Sequence, residues 1–359
     1  MRYSLICADY VHEIRDMVEV YKGVMARTPA PRIVHFLARM LLRKVFTKEE
    51  TEEISGIARN TGIPLHIVVA YNTFLDLFSG CISGGARVAA CAGKSKVIHF
   101  RNLDWDMEPL RDMIIRVEYM IGGRVVARAV TYAGYIGVLT GVRKGLSMSL
   151  NYRDRTQSQS STISNRIHQL FILLGKRPSI SARLRQILLS PGPPPTLADL
   201  SYKFKHTTAS PCYLTFCTPY SALVIEKDLN SALTHTSDTF LAVTNHDVAF
   251  ESTNDQDAEA LKRPSRIVRG SSGSMSLLNE SIERKDTMYS LWRDRKQPSR
   301  PTKVQRALVN DVKTWLRTYP IRNECTHFCC IMDPSAEGGG LVWVESCEVS
   351  TGPNNSFQN

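Results

Sequence analysis

The sequence predicts an α+β protein whose helices and strands are grouped in separate blocks. Three observations carry that reading. The first eighty residues place apolar side chains at three- and four-residue intervals, the spacing of helices with one buried face. From Gly80 onward the texture changes to short runs rich in valine, isoleucine and tyrosine, punctuated by glycine. Later helical and strand-like stretches again come in groups, which favours layered α+β packing over βαβ units.

Taken in order, Ile33, Phe36, Leu37, Met40, Leu41 and Val45 recur on one face of a helix predicted from Ile33 to Phe46, with Arg39, Arg43 and Lys44 between them. Thr47, followed by Glu49 and Glu50, predicts an N-cap with first-turn acids for a helix reaching about Ala58. Pro64 opens another from about Leu65 to Phe78, closed by Ser79-Gly80. Strands follow at Val97–Phe100, Met113–Tyr119, Val125–Tyr132, Ile136–Leu139 and Leu146–Leu150, an antiparallel meander turning at Gly122-Gly123, Gly134 and Gly141. The polar stretch Thr156–Ser164 precedes helical patterns at Ile167–Leu174 and Ala182–Leu189, broken by Pro191–Pro195. Strands return at Tyr213–Thr218, Ala222–Glu226 and Phe240–Thr244. Asp255 to Ser274 reads as a polar, basic loop. Helices at about Met275–Leu291 and Val304–Thr318 lead to closing strands at Thr326–Met332 and Gly340–Trp343.

Composition narrows the function classes. The 359 residues are 43% hydrophobic and 22% charged, which excludes a disordered chain or a collagen. No run reaches the ~18 apolar residues of a membrane-spanning helix, and the N-terminus shows no signal-peptide core, so an intracellular chain is expected. The formal net charge is +11, yet the densest basic clusters (Lys203-Phe204-Lys205, Lys262-Arg263 and Arg293-Asp294-Arg295-Lys296) are short and interrupted. With no nucleic-acid-binding pattern present, no nucleic-acid partner is expected. A solvated basic surface is the plainest reading, and an anionic membrane surface is the alternative partner. Nine cysteines, an odd number at irregular spacing, argue against a disulfide framework. Cys325, His327, Cys329 and Cys330 lack a second ligand pair, so neither a metal nor another cofactor is expected.

Four segments stand out chemically. Tyr71-Asn72-Thr73-Phe74-Leu75-Asp76-Leu77-Phe78-Ser79-Gly80-Cys81-Ile82-Ser83 spans the change from helix to strand. His99-Phe100-Arg101-Asn102-Leu103-Asp104-Trp105 follows, then Tyr132-Ala133-Gly134-Tyr135-Ile136-Gly137-Val138-Leu139-Thr140-Gly141, then Val243-Thr244-Asn245-His246-Asp247. Each residue also has a plain reading: Cys81 as a buried thiol, Arg101 with Asp104 as a surface ion pair, and Asn245 as a turn cap. Together and in this order, the segments resemble the acid ceramidase and N-acylethanolamine-hydrolysing acid amidase family, cysteine members of the N-terminal-nucleophile hydrolases.

The resemblance implies a four-layer αββα sandwich, two antiparallel sheets between helical layers, with residues 1–80 as a helical prosegment and 81–359 as the catalytic domain. It implies self-cleavage at Gly80–Cys81, after which the prosegment stays docked because its apolar helices are poorly soluble alone. A thiol of pKa about 8.5 is only ~3% thiolate at pH 7. A Cys81 that has become a chain terminus has its own α-amine, of pKa about 7.7, to take the thiol proton. By resemblance, Arg101 favours the thiolate, Asp104 holds the new ammonium, and the Asn245 amide donates to the oxyanion. The late family arginine falls on Arg284, or on one within 263–269. Cys91 is a rival nucleophile, although it does not follow the helix end.

Three departures stand against the family pattern. Ile82 replaces a threonine, Tyr152 stands where the family has an acid, and the Cys81–Arg101 spacing is longer, requiring a bulge over Gly84–Ala89 or an extended hairpin. The function implied is hydrolysis of a lipid amide, either ceramide or an N-acylethanolamine. An amidase of non-lipid acyl amides and an inactive lipid-binding relative are the alternatives.

Overall fold

Two antiparallel sheets stack face to face in the computed structural model, which describes residues 11–26, 28, 30–74, 79–90, 93–105, 107–154, 157–251, 271–295 and 305–348. Among the described residues four helices come first: α1 (Val11–Ala26), α2 (Pro31–Leu41), α3 (Lys48–Thr61) and α4 (Leu65–Phe74). Next come β1 (Ser79–Ala89), β2 (Ser95–Trp105), a 3-10 turn (Glu108–Met113), β3 (Ile114–Ile121), β4 (Arg124–Tyr132), β5 (Thr140–Arg143) and β6 (Leu146–Tyr152). Helices α5 (Thr162–Leu173), α6 (Ile180–Leu188) and α7 (Leu197–Lys205) precede β7 (Cys212–Cys217), β8 (Ala222–Lys227), β9 (Ala232–Ser237) and β10 (Phe240–Val243). Helices α8 (Ser271–Arg293) and α9 (Val309–Arg317), then β11 (Thr326–Asp333) and β12 (Gly340–Ser346), complete the order.

The seven-stranded sheet is a plain meander, β3 through β9 in sequence order. The five-stranded sheet has the order β10-β1-β2-β11-β12, which brings the end of the chain beside β2. Helices α8 and α9 cover the outer face of the five-stranded sheet, while α6 and α7 cover the outer face of the other. The layers therefore run helix, sheet, sheet, helix, as the resemblance implied. Between α8, α9 and the sheet lies a dry core that includes Ile82, Phe100, Phe240, Trp292 and Trp315. Ile82 thus packs outward, which accounts for an apolar residue there. Among the described residues no helix is long and apolar enough to cross a membrane.

The glycines around Cys81 hid β1 from a propensity reading, since glycine weakens a strand. They are needed for close approach. A Cβ at Gly84 would lie 2.0 Å from the Leu241 carbonyl oxygen, and one at Gly85 would lie 2.5 Å from Ala222 Cβ. Both distances are shorter than atoms tolerate, so β1 can sit between β10 and the second sheet only without those side chains. Strand β9 and helix α7 also went unread, and the strand expected at Ile136–Leu139 begins only at Thr140.

The N-terminal helices are tied to the rest by specific bonds. Asn72 on α4 donates from Nδ2 to the Gly134 carbonyl (3.0 Å) and accepts the Ile136 N–H on Oδ1 (2.8 Å), clamping the glycine hairpin. Arg185 on α6 grips Glu53 on α3 with two bonds of 2.6 and 2.7 Å. Thr47 caps α3 as its sequence predicts, accepting the Glu50 N–H. Helix α2 reverses an expectation. It ends at Leu41 and leans on the core through Val34 and Ala38, leaving Ile33, Phe36, Leu37, Met40 and Leu41 between 46% and 63% exposed. The face expected to dock inward is turned outward.

Candidate active site

Strands β1 and β2 form one long hairpin in which Ser79–Ala89 pairs with Trp105–Ser95 without a register shift. The long spacing between Cys81 and Arg101 is therefore absorbed by an extended hairpin rather than a bulge. Because side chains alternate along a strand, Cys81, Ser83, Arg101 and Leu103 turn toward the second sheet. Ile82, Phe100, Asn102 and Asp104 turn toward α8 and α9. Arg101 and Asp104, three residues apart, thus work on opposite faces of one sheet.

On the inner face, Cys81 and Arg101 are both fully buried. Arg101 Nη2 lies 3.2 Å from Cys81 Sγ and donates to the Leu150 carbonyl at 2.6 Å, while Nη1 reaches Asn151 Oδ1 at 3.4 Å. Among the described residues Arg101 pairs with no carboxylate. A buried guanidinium surrounded by neutral acceptors is costly, and a thiolate is the counter-ion that would offset it. The other buried thiols differ. Burial pushes Cys217 up, and pushes Cys330 up to about 12 against a weaker opposing effect of Arg101.

At the nitrogen of Cys81, the backbone N–H donates to Asn245 Oδ1 at 2.7 Å. The Asn245 Nδ2 donates to the Tyr152 carbonyl at 2.7 Å, and its own N–H donates to Ser281 Oγ at 2.8 Å. A backbone N–H on one side and a carbonyl on the other fix which end of the carboxamide is which. Tyr152 enters through its backbone carbonyl, which any residue would supply.

On the outer face, Asp104 is the cross-strand partner of Gly80. Its carboxylate accepts from Thr326 Oγ1 at 2.7 Å and forms an ion pair with Arg284. Arg284 also donates to the Ile321 carbonyl at 2.9 Å, and Asn102 donates to the carbonyls of Leu316 and Ile321. The five predicted residues (Cys81, Arg101, Asp104, Asn245 and Arg284) therefore surround one peptide bond, Gly80–Cys81, from two faces of β1 and β2. Cys91 and the arginines of 263–269 lie outside the described residues.

Sequence reasoning missed Asn151, which links three strands to β6. Its Oδ1 accepts from Ser83 Oγ (2.8 Å) as well as from Arg101, and its Nδ2 donates to the carbonyls of Val243 and Thr244 (3.2 Å each). The available signal was an asparagine inside an otherwise strand-forming run, where an unpaired buried amide would be expensive.

Comparisons with known proteins find relatives both by sequence and by structure. The N-acylethanolamine-hydrolyzing acid amidase of Caenorhabditis elegans is 31% identical over 198 residues, covering 52% of this chain and 52% of that protein. Human acid ceramidase is 34% identical over 160 residues, covering 40% of this chain and 38% of that protein. The chain thus spans about half the length of the first of these relatives and less of the second. A solved structure of the Caenorhabditis elegans N-acylethanolamine-hydrolyzing acid amidase ortholog superposes with a TM-score of 0.50 at 25% identity, covering 71% of this chain and 94% of that one. No family model matches the chain. With the layer order and these relatives both in hand, the chain is similar to acid ceramidases and N-acylethanolamine-hydrolysing acid amidases in sequence over about half of its length, and in fold.

Proposed function

We propose that this protein is a cysteine amidohydrolase that first cuts its own Gly80–Cys81 bond and then hydrolyses the linear amide of N-acyl lipids. The observation that carries the proposal is the buried Arg101 guanidinium, with no carboxylate partner among the described residues, 3.2 Å from Cys81 Sγ. A fixed positive charge in a water-poor site stabilises the sulfur anion that both reactions need.

In self-cleavage, Cys81 sulfur attacks the Gly80 carbonyl carbon, the carbon–nitrogen bond breaks, and the thiol proton passes to the departing Cys81 nitrogen. Water then splits the thioester, leaving Gly80 with a carboxylate and Cys81 with a free α-amine. Asn245 Oδ1 already holds that nitrogen, so it shares with Asp104 the task of orienting the amine. In the lipid reaction, the amine takes the thiol proton while sulfur attacks the substrate carbonyl. The Asn245 carboxamide would donate to the oxyanion. The leaving amine departs with a proton, and water releases the fatty acid.

Cys81 is fully buried in the uncleaved chain, so cleavage has to be followed by movement of the covering segments before a lipid reaches the sulfur. Residues 1–80 stay attached through the Asn72 clamp and the Arg185–Glu53 pair. The outward face of α2 is the surface that meets a bilayer: five large apolar side chains, with Arg32, Arg39, Arg43 and Lys44 exposed around them, suit an anionic membrane.

The test is release of fatty acid from an N-acylethanolamine and from ceramide in mixed micelles, beside a short-chain acyl amide. The chain is expected to hydrolyse at least one of the two lipids, and Cys81→Ala neither. Turnover of the short-chain amide alone would replace the lipid substrate class, and lipid turnover by Cys81→Ala would remove the nucleophile.

A further inference from the structure

One polar device beside Cys81 has no part in this chemistry. The register between β11 and β2 shifts between Thr326 and Phe328, so His327 is an inserted bulge residue facing the Asp104–Leu103 step of β2. Asp104 and Leu103 are themselves the partners of Gly80 and Cys81. The bulge therefore lies in the cross-strand row of the scissile bond, two strands away, or about 10 Å by strand spacing. A bulge re-aims a side chain. Here it turns the imidazole into the core between the sheets, where Nδ1 lies 2.9 Å from the Tyr132 hydroxyl at the end of β4. Tyr132 is fully buried, close enough to Cys81 and Arg101 to interact electrostatically with both, and Trp105 meets its ring edge-on at 5.6 Å.

The pair carries no charge. Burial, aided by the Arg111 guanidinium, pushes His327 down to about 3, and burial keeps the Tyr132 phenol protonated. Arg111 itself is committed to the backbone carbonyls of Thr326, Glu324 and Cys347. His327 Nε2 is buried and, among the described residues, has no side-chain hydrogen-bond partner. A neutral imidazole and a phenol together offer a donor and an acceptor, the complement of an uncharged hydroxyl, and Arg111, the cation beside the imidazole, is already taken up by backbone carbonyls. A hydrocarbon acyl chain gains nothing from such a pair, so the pair faces the other half of the substrate.

We propose that Tyr132 and His327 form the subsite that binds a hydroxyl on the amine half of the substrate. The inference rests on the amidohydrolase reading above, and like Cys81 the subsite becomes accessible only after the covering segments move. The experiment uses the self-cleaved protein and two amides that differ in one hydroxyl, N-palmitoylethanolamine and N-propylpalmitamide. Wild type should prefer the hydroxylated amide by about thirtyfold or more in kcat/KM, as expected for a site whose buried polar groups are left unpaired by the analogue. Tyr132→Phe and His327→Leu should each bring that ratio to within about threefold of unity, while His327→Asn, which keeps an acceptor for the phenol, retains more of it. A wild-type ratio near one, or variants that keep the wild-type ratio, would overturn the subsite and leave the amidohydrolase intact. A self-cleaved wild type that hydrolyses neither amide but does cleave ceramide would overturn the subsite alone, and one that hydrolyses none of the three would overturn both.

Discussion

The layer around Cys81 and the outer face of α2 break the usual inside–outside rule in opposite directions. Between the sheets, a guanidinium, a thiol, His99 and several hydroxyls are fully buried, and they bond to one another or to backbone carbonyls. On α2, five large apolar side chains face outward with no protein cover among the described residues. A buried polar layer costs stability unless every group is satisfied, whereas an exposed apolar stripe costs solubility. Both are informative for the same reason: burial alone would have arranged them otherwise. On the proposed reading, the first is where the chemistry takes place and the second is the surface from which a lipid arrives.

The sharpest way to break the contrast is at Arg101. Arg101→Gln should lower kcat/KM for lipid amide by about a hundredfold or more. The ascending limb of the pH–rate profile should move up by about one pH unit, because loss of the positive charge makes the thiolate harder to form. An unchanged limb would make Arg101 a packing residue. Asn245→Ala should cost about a hundredfold in kcat, the usual worth of one such carboxamide, with thermal stability falling far less than activity. Equal loss of both would reduce Asn245 to a strand-end brace.

Acid should expose the cost of the polar layer. Burial pushes His99 and His327 down to about 3 and His168 down to about 4, against about 6.5 when unfolded. Below pH 6.5 the unfolded chain therefore binds protons that the folded chain refuses, so this contribution is intact above pH 6.5 and is lost as pH falls toward 3 to 4. The melting temperature of Cys81→Ala, which is expected to stay whole, should drop by ~5 °C or more between pH 7 and pH 5. A flat profile would mean that the histidines are solvated.

Substitutions on α2 should have the converse signature. The double change Phe36→Glu with Met40→Glu should leave the melting temperature within about 2 °C, since neither side chain is buried, yet weaken binding to phosphatidylserine-containing vesicles by about tenfold or more. Arg39→Glu with Arg43→Glu should have a smaller effect, confined to anionic vesicles and lost at high salt. A large drop in melting temperature from the first pair would mean that α2 is held by its apolar face after all.

Much of this was legible in the sequence, and the gaps have identifiable causes. The meander, the Thr47 cap and most strand cores followed from period and propensity. Strand β1 did not, because Gly84 and Gly85 serve close packing with Leu241 and Ala222, which are remote in sequence. The five candidate residues were proposed from motif order, but not their division between two faces of a sheet, which depends on the Cys81–Leu103 register. Asn151 and the His327 bulge were beyond reach for the same reason: each acts through strands that only the fold brings together. The apolar stripe of α2 was read correctly as a stripe and placed on the wrong side, since periodicity identifies a face without saying what it meets.

The account stands or falls on Cys81 acquiring its own amino terminus. N-terminal sequencing and intact mass of the purified chain, beside Cys81→Ala, measure this directly. Wild type should yield two fragments of about 9 and 31 kDa, at ~110 Da per residue, with the larger beginning at Cys81. Cys81→Ala should remain whole at 40.3 kDa. A wild-type chain that stays whole while hydrolysing amides, or a cut at the same bond in Cys81→Ala, would contradict it.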